Sequence, residues 1–478
     1  MPSTKTQPSG GLVPLLVIAT AQLMIVLDDS IVNIALPSIQ SQLGVDPVHL
    51  PWIVNGYILA FGSLLLLGGR VGDLWGRKRA LQVGLAVFAL GSLAGGLGQS
   101  AQMLIAARAA QGIGAAMTAP NVLALIATTF EDRRTRDTAL SLYGAMSGIG
   151  IVVGLVLGGF LTDALNWRWV FFINVPIGLL VLWGSRTLVP PAQGTGRLGL
   201  LVGALGTAGM VSLVYAVTRL GEDGLTDPIA YGLIALAAVL LVSFTLIQRR
   251  SQTPLVPLGL FKDRNRAGAY LTMLGLAIGP MGILYIVTLY LQQVQEYSPL
   301  VTGLSMLPFA VGIILGAGSA PNLLLKRSPR LVTTAGGLLS TAGALWIAWA
   351  ISSEGGWLFI APGFLVVALG FGFGVMALTQ AAVYRVDADT AGIASALLNS
   401  AQQIGVALGL AVLAGVAATV TSASETMSAP TVIDGYSTAL VVGAGILLAA
   451  AVLATRTLSR RVNDDAHAAQ RPEVAKTS

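Results

Sequence analysis

Long apolar stretches recur along the chain, separated by short segments that carry its charged residues, prolines and many of its glycines. A helix that crosses a bilayer needs roughly 20 apolar residues, and most of the stretches reach that length. An even number of spans would place both chain ends on one side of a membrane. The pattern predicts fourteen spanning helices, over residues 12–38, 50–69, 80–98, 102–125, 138–162, 169–189, 198–218, 228–248, 267–292, 302–325, 331–352, 357–380, 393–420 and 436–456.

The composition agrees with a chain that is embedded in a membrane. Of the 478 residues, 55% are hydrophobic and only 10% are charged, whereas a soluble domain carries about 25% charged residues. The first apolar stretch is too long for the core of a signal peptide, so we interpret it as a retained first helix. The predicted fold class is an all-α polytopic membrane protein.

The basic residues indicate the orientation. If both ends of the chain are cytoplasmic, the inner loops and tails hold 24 of the 27 Lys and Arg residues, and the acidic residues divide almost evenly between the two sides. Only Arg168 and Arg219 fall in outer loops, and Arg108 lies inside a predicted span. This asymmetry is the positive-inside rule, which depends on Lys and Arg and hardly on Asp and Glu. It also explains the net charge of +6, so no nucleic-acid partner is predicted.

The chain contains a weak internal repeat. Residues 69–79 follow predicted helix 2, and a similar segment at 318–328 follows predicted helix 10. Both begin with glycine and end in basic residues, with Asp73 in the first copy where the second has Asn322. Glycine followed by basic residues is common at helix ends, so coincidence is the alternative. Duplicated halves suggest two bundles that move about a central site.

The repeat suggests a division of the chain into two bundles and an insertion. We predict an N-terminal six-helix bundle at 12–189 and a C-terminal six-helix bundle at 267–456. Two inserted helices (198–248) and a cytoplasmic linker (249–266) would separate them. Cytoplasmic tails, expected to be disordered, complete the chain at 1–11 and 457–478.

Two adjacent acidic residues, Asp28 and Asp29, lie inside predicted helix 1. An ionised aspartate near the middle of a bilayer costs roughly 2.5–3.5 kcal/mol on the insertion scale, so each must be protonated, hydrated or matched by a cation. Successive helical residues point about 100° apart, so the two cannot share one environment, and Asp29 lies on the face of Asn33. The alternative is a hydrated, purely structural pair at the outer mouth. We predict that the pair handles protons or cations.

Arg108 in predicted helix 4 is the only basic residue within a span. Arginine does not lose its proton in proteins, and an unpaired guanidinium is expensive inside a membrane. The only acids buried with it are Asp28 and Asp29, so helix 4 is predicted to pack against helix 1. The alternative is a side chain that reaches the membrane surface, but Arg108 lies too deep in the outer half of its helix to reach the basic side.

Buried polar side chains also mark a central cavity, because buried amides need hydrogen-bond partners from neighbouring helices, water or substrate. Glycines of helix 5 form a small-residue face that permits close packing, and packing alone is the simpler interpretation of that face. The residues predicted to line the cavity are Asn33, Tyr57, Gln111, Tyr285, Tyr290, Gln293, Asn399, Gln402 and Gln403.

Several classes of chemistry are excluded. The chain has no cysteine, so it has no disulfide, thiolate metal site or thiol nucleophile. His49 and His467 lie outside the apolar runs, so a buried proton carrier must be a carboxylate. No phosphate-binding loop and no Ser–His–Asp set occurs, so we predict neither an enzyme nor a direct use of ATP. No cofactor is expected.

Six motifs resemble the fourteen-helix drug:proton antiporter branch of the major facilitator superfamily. Each is moderately specific alone, but six in the right order at the right helices are very specific. They are LDDSIVNIALP (27–37), the 69–79 loop (similar to motif A), RAAQG (108–112, similar to motif B), WRWVFFINVPIG (167–178), LYLQQVQEYSPLVTGLSMLP (289–308) and GIASALLNSAQQIGVALG (392–409).

This resemblance implies roles for matched positions. Asp28 would be the acid that titrates during transport, Arg108 would take part in proton coupling with Asp29 as a helper, and charges of motif A would lock the cytoplasmic side of the two halves. The predicted conformational gate comprises Gly69, Asp73, Gly76, Arg77, Lys78, Gly154 and Gly158.

One departure concerns motif C in helix 5. The family pattern has a proline after its first glycine, and this chain has Leu155 between Gly154 and Gly158. Proline removes a backbone hydrogen bond and kinks a helix, so helix 5 is expected to be straighter. Because motif C is the antiporter hallmark, this departure bears on the direction of coupling.

The resemblance implies a proton-coupled exporter of small lipophilic drugs or metabolites, some of them cationic, that works by alternating access in the inner membrane of a bacterium. Its partners would be the substrate, protons and the lipid bilayer, and we expect a monomer. The alternatives are a uniporter, an importer, or a lipid or metabolite exporter without strict proton antiport. A non-transporting sensor on the same fold is a further alternative.

Overall fold

The computed structural model describes residues 11–47, 49–130, 132–189, 199–222, 224, 226–251, 254–386, 388–422 and 429–459. These residues form helices and connecting turns, with no β-strand among them. Fourteen helices are long and apolar enough to cross a membrane, which confirms the predicted number and order. In chain order, helices 1 to 14 are Leu12–Leu43, Pro51–Trp75, Arg77–Gly96, Ala101–Thr129, Arg133–Ala164, Trp169–Thr187, Leu200–Gly221, Pro228–Arg250, Arg264–Val294, Pro299–Leu324, Pro329–Ser352, Trp357–Val383, Thr390–Ser422 and Ala429–Thr457.

Most helices extend a few residues beyond the apolar stretches that predicted them. Helix 5 begins at Arg133 because the Asp132 carboxylate accepts a hydrogen bond from the Thr135 backbone N–H at 2.9 Å. Helix 10 begins at Pro299 because the Ser298 hydroxyl caps it in the same way. Such caps satisfy free backbone N–H groups of the first turn, so these helices start before the segments predicted for them.

Three of the helices are irregular. Helix 6 consists of a short turn, Trp169–Phe172, followed by Asn174–Gly184 and a 3-10 turn. Helix 9 ends in a π-helical turn at Tyr290–Val294. Helix 10 breaks at Met306, just before Pro308, whose ring nitrogen cannot donate a helical hydrogen bond.

The helices pack as two related bundles. In the first, helix 1 packs against helices 5 and 6, helix 2 against helix 4, and helix 3 against helices 4 and 6. In the second, helix 9 packs against helices 13 and 14, helix 10 against helix 12, and helix 11 against helices 12 and 14. Each contact recurs eight helices later, as expected for a six-helix repeat with two inserted helices. The predicted bundle limits, 12–189 and 267–456, stay predictions, and most of each predicted tail lies outside the described residues.

The two inserted helices lie beside the boundary between the bundles. Helix 7 packs against helix 2 of the first bundle and helix 13 of the second, and helix 8 packs against helix 7. The Thr419 hydroxyl donates a hydrogen bond to the Gly221 carbonyl at 2.7 Å, where helices 7 and 13 meet. Apolar side chains of helix 8, such as Val239 and Val242, are exposed. They form the kind of surface that faces lipid.

Candidate functional site

A fully buried network surrounds Asp28 at the middle of the first bundle. The Asp28 carboxylate accepts hydrogen bonds from Arg108 Nη1 at 2.5 Å, from Gln111 Nε2 at 2.9 Å and from Asn174 Nδ2 at 2.8 Å. Helices 1, 4 and 6 supply these side chains. Arg108 therefore pairs directly with Asp28, as the sequence predicted for one of the two aspartates.

Several contacts hold the guanidinium of Arg108 in place. Its Nε donates to the Ile53 carbonyl at 3.1 Å, and Nη1 also donates to Gln111 Oε1 at 3.1 Å. The guanidinium also lies over the ring of Tyr57, whose centroid is 4.4 Å from Arg108 Cζ. Neither Arg108 nor Asp28 has any exposed side-chain surface. Removing one partner of such a buried pair leaves an uncompensated charge and costs about 3–5 kcal/mol.

Two members of this network were not predicted from the sequence. Asn174 lies in the motif WRWVFFINVPIG (167–178), which predicted no role for it, and no sequence pattern indicated Ser92. The Ser92 hydroxyl accepts a hydrogen bond from Gln111 Nε2 at 2.7 Å. Asn174 is the sole polar residue in the apolar run FFINVPIG (171–178), and this isolation is the signal that could have found it. Gln111, predicted to line the substrate cavity, belongs to this network, and its cavity role stays a prediction.

Asp29 has a different environment from Asp28. It is partly exposed, and its Oδ1 atom is buried without a hydrogen-bond partner among the described residues. Asn33, one turn later, donates from Nδ2 to the Asp29 backbone carbonyl at 3.0 Å. The same Nδ2 lies 3.7 Å from the sulfur of Met281 in helix 9. Asp29 and Asn33 thus lie on the side of helix 1 that faces the second bundle.

Helix 5 packs closely along helix 1 next to this network. A Cβ atom on Gly158 would lie 2.8 Å from the Ile31 carbonyl oxygen, and one on Gly154 would lie 3.0 Å from the Leu27 carbonyl oxygen. Helix 5 runs without a break from Arg133 to Ala164, and Leu155 is buried within it. The glycines named as gate residues therefore make a close helix–helix contact, and the leucine in motif C lies in a continuous helix.

The bundles meet at one end of the molecule. We call the end that carries the helix 2–3, 4–5 and 10–11 turns the basic face. At the opposite end, Gln293 Nε2 donates to Gln40 Oε1 at 2.8 Å, and Ser298 Oγ donates to the Asp163 carboxylate at 3.0 Å. Tyr436 of helix 14 also donates to Gln293 at 3.1 Å. The first two contacts join helices 1 and 5 of the first bundle to helix 9 and the start of helix 10 in the second, opposite the basic face, and the third holds Gln293 from within the second bundle.

Toward the basic face the bundles separate. Added Cβ atoms on Gly144, Gly318 and Gly392, on helices 5, 10 and 13, would meet no atom within 4 Å. Deeper in the molecule, Ser400 Oγ donates to the Gly62 carbonyl at 2.8 Å, which joins helices 13 and 2. Hydrogen bonds thus join the bundles at the opposite end and in the middle of the molecule, and open space lies beside these three glycines nearer the basic face.

The remaining predicted cavity residues do not all lie together. Asn399 is exposed, and Gln402 and Gln403 are partly exposed on helix 13 near the separation. Tyr285 is buried in helix 9, whereas the Tyr290 hydroxyl donates to the Gly355 carbonyl at 3.1 Å, in the turn between helices 11 and 12. The Tyr290 hydroxyl therefore makes a contact within the second bundle, and a place for Tyr290 in the cavity stays a prediction.

The charged residues of motif A interact within the first bundle. Arg77 forms an ion pair with Asp73 one turn earlier and donates to Asn121 at 3.3 Å. Lys78 donates to the Arg186 carbonyl at 2.7 Å, at the end of helix 6. The expected lock between the halves is therefore absent from the described contacts in this conformation, because the two bundles touch at the other end. Gly76 has a φ of 97°, which allows the sharp turn from helix 2 to helix 3, and Gly69 lies near Pro120.

Comparison with known proteins identifies the family. Residues 18–410 match the model for the Major Facilitator Superfamily. The chain belongs to this superfamily. It is 41% identical to the puromycin resistance protein pur8 of Streptomyces alboniger, over 92% of this chain and 90% of that protein. It is 36% identical to the cephamycin export protein CmcT of Amycolatopsis lactamdurans, over 92% and 91% of the two chains.

Solved structures agree on the fold. A structure from work on proton dependent oligopeptide transporters superimposes with a TM-score of 0.66 at 14% identity, covering 93% of this chain and 98% of that one. A D-xylose-proton symporter gives a TM-score of 0.64 at 14% identity, covering 95% and 99%. At this identity the likeness concerns the fold alone. The family and the relatives make this chain a multi-pass membrane transporter of small molecules and not an enzyme.

Proposed function

We propose that this transporter exports small lipophilic molecules, antibiotics among them, in exchange for protons. Its relatives include a puromycin resistance protein, a cephamycin export protein and a tetracenomycin C resistance and export protein. Proton coupling is supported by one observation above all, the buried Asp28–Arg108 pair. Asp28 can lose its charge by taking up a proton, whereas Arg108 keeps its charge.

The network supplies a two-state element that a proton can bias. With Asp28 ionised, its carboxylate holds helices 1, 4 and 6 together through three donors. A proton on Asp28 removes the charge that Arg108 neutralises, so this helix arrangement loses its main electrostatic support. Transport gains a direction because the two conformations bind the proton with different affinities. Equal affinities would not shift the equilibrium between the conformations.

The orientation follows from the distribution of charge. The basic face would be cytoplasmic by the positive-inside rule. The contacts that join the bundles at the opposite end support a central space that opens toward the basic face, so substrate would enter from the cytoplasm or the inner leaflet. We place the protein in the inner membrane of a bacterium, with both ends cytoplasmic. We also propose that the monomer is the transporting unit, because each bundle contributes to one central space.

The test is transport by Asp28→Asn in everted membrane vesicles. Wild-type vesicles with an acidic interior are expected to take up ethidium, and added substrate is expected to release protons from them. Asp28→Asn should abolish both signals, because its amide cannot carry the proton. Asp434→Asn, on an exposed acid of helix 14, is the matched control and should behave as the wild type. Undiminished proton-driven uptake by Asp28→Asn would refute the proposal.

The uniporter alternative rests on Leu155 and has its own measurement. A uniporter exchanges labelled substrate across a vesicle membrane without a pH gradient and does not move protons when substrate is added. Wild-type counterflow with no proton movement would favour this alternative. Coupled proton movement favours the antiporter.

A further inference from the structure

Polar residues form one stripe along helix 1, separate from Asp28. Gln22, Asp29, Asn33 and Gln40 are spaced by seven, four and seven residues, which places them on one helical face. Gln22 Nε2 donates to the Ser147 hydroxyl of helix 5 at 2.9 Å, and Gln40 accepts from Gln293 of helix 9. The part of the stripe from Asn33 to Gln40 therefore faces the second bundle, through Met281 and Gln293 of helix 9, while Asp28 faces the interior of its own bundle.

The centre of the stripe holds two acceptors without donors. Asp29 Oδ1 and Asn33 Oδ1 are both buried, and no described residue donates a hydrogen bond to either atom. Asn33 has no exposed surface, and its Nδ2 donates to the Asp29 carbonyl. The amide is thus fixed one helical turn from the carboxylate. Buried polar atoms are rarely left unpaired in proteins, so these two oxygens call for a donor that the described residues do not place within hydrogen-bond distance in this conformation.

Asp29 also forms no ion pair of its own among the described residues. Arg108 forms its ion pair with Asp28, so that pair is neutral as a whole and Asp29 adds one further negative charge. Arg108 Nη2 is itself without a hydrogen-bond partner among the described residues. However, contacts to Ile53, Asp28, Gln111 and the Tyr57 ring hold the guanidinium in place. A mobile cation with its own donors satisfies the carboxylate without breaking these contacts.

We propose that Asp29 and Asn33 recognise a protonated amine of the substrate. An ammonium group brings a positive charge to the carboxylate and N–H donors to both oxygens, and charge-assisted hydrogen bonds are the stronger kind. Met281 of helix 9, in contact with Asn33, offers a polarisable apolar surface for the carbon chain next to the nitrogen. The inference rests on the proposed function and names its substrate class, and it assigns Asp29 to substrate and Asp28 to the proton.

The test measures binding to the purified transporter in detergent, followed by energy transfer from tryptophan to a dansyl group. Three forms of one probe isolate the chemistry: dansylcadaverine with its protonated amine, its N-acetyl derivative without charge, and its N-trimethyl derivative with charge but no N–H donor. Wild type is expected to bind the amine at least about ten-fold tighter than the acetyl form. The trimethyl form should fall between them. A wild type that binds the trimethyl form as tightly as the amine, or shows no preference for the amine, would overturn the proposal.

The variants separate this site from the proton site. Asp29→Asn should bring the amine to the affinity of the acetyl probe and leave the acetyl probe unchanged. The amine preference is judged on wild type against Asp29→Asn, and proton coupling is judged on transport by Asp28→Asn, so the two proposals fail independently. If Asp29→Asn lowers the binding affinity for all three probes equally, Asp29 has a structural role, for which Arg108 is the nearby partner, and the amine site is refuted. Should Asp29→Asn misfold, Asn33→Leu removes one acceptor and should reduce the preference several-fold; an unchanged preference would also refute the site.

Discussion

Replacing Gly158 by alanine tests the contact between helices 5 and 1, which holds the Asp28 network from one side. The new methyl carbon would lie 2.8 Å from the Ile31 carbonyl oxygen and 2.9 Å from Ile31 Cγ1. It would be about 0.6 Å closer to that oxygen than ordinary van der Waals contact. Because the obstacle is backbone, the helices must move apart. Overpacking of this kind costs about 1–3 kcal/mol.

The same helix provides a matched control at Gly144. An added Cβ there meets no atom within 4 Å, so Gly144→Ala makes the same chemical change without a collision. Equilibrium unfolding in mixed micelles of dodecyl maltoside and SDS measures both free energies against the wild type. We expect Gly158→Ala to be less stable than Gly144→Ala by about 1–3 kcal/mol. Equal stability of the two variants would refute close packing of helix 5 on helix 1.

Three further predictions concern other parts of the fold. Asn174→Ala removes the 2.8 Å donor to Asp28 and should lower the free energy of unfolding by about 1.5–3 kcal/mol, with weaker proton-driven uptake; wild-type values of both would contradict its place in the network. Arg266→Lys should lower the unfolding temperature more than Arg264→Lys. Arg266 donates to three carbonyls, of Ala382, Leu260 and Tyr384, whereas Arg264 donates to one, and lysine lacks the guanidinium fork. Thr135 donates to Asp132 and thereby lowers the pKa of this carboxyl below its usual 3.8. Because the pKa of Asp132 is lower in the folded state, the cap contributes its full stability at a pH above the unfolded-state pKa. This contribution is lost as the pH falls through the folded-state pKa. Asp132→Ala should therefore lower the unfolding temperature at pH 7 and lose much of this effect near pH 3, and an effect of equal size at both pH values would contradict the capping role.

The local pattern of the chain predicted the number and order of the helices well, because the apolar requirement for crossing a bilayer is a property of each segment alone. It predicted their ends less well. The start of helix 5 depends on the Asp132 cap, and the start of helix 10 on Ser298. These are single polar contacts that no hydropathy pattern registers.

The sequence also predicted that Arg108 needs an acidic partner in helix 1, since the cost of an unpaired charge in a membrane does not depend on the details of the fold. It could not choose between Asp28 and Asp29. That choice depends on how helices 1, 4 and 6 turn toward each other, and the contact of Asn174 with Asp28 belongs to the same packing.

By itself, then, the sequence determined the fourteen spans, the asymmetry of basic charge and the presence of a buried acid–arginine pair, because each follows from the free energy of placing a residue in or out of a bilayer. Only the tertiary structure decided that Asp28 turns into its own bundle while Asp29 turns toward the other. It also decided that the bundles close at the end opposite the basic face. Both outcomes depend on contacts between helices far apart in the chain. Neighbouring residues of helix 1 point about 100° apart, so a shift of one residue gives a side chain a different partner.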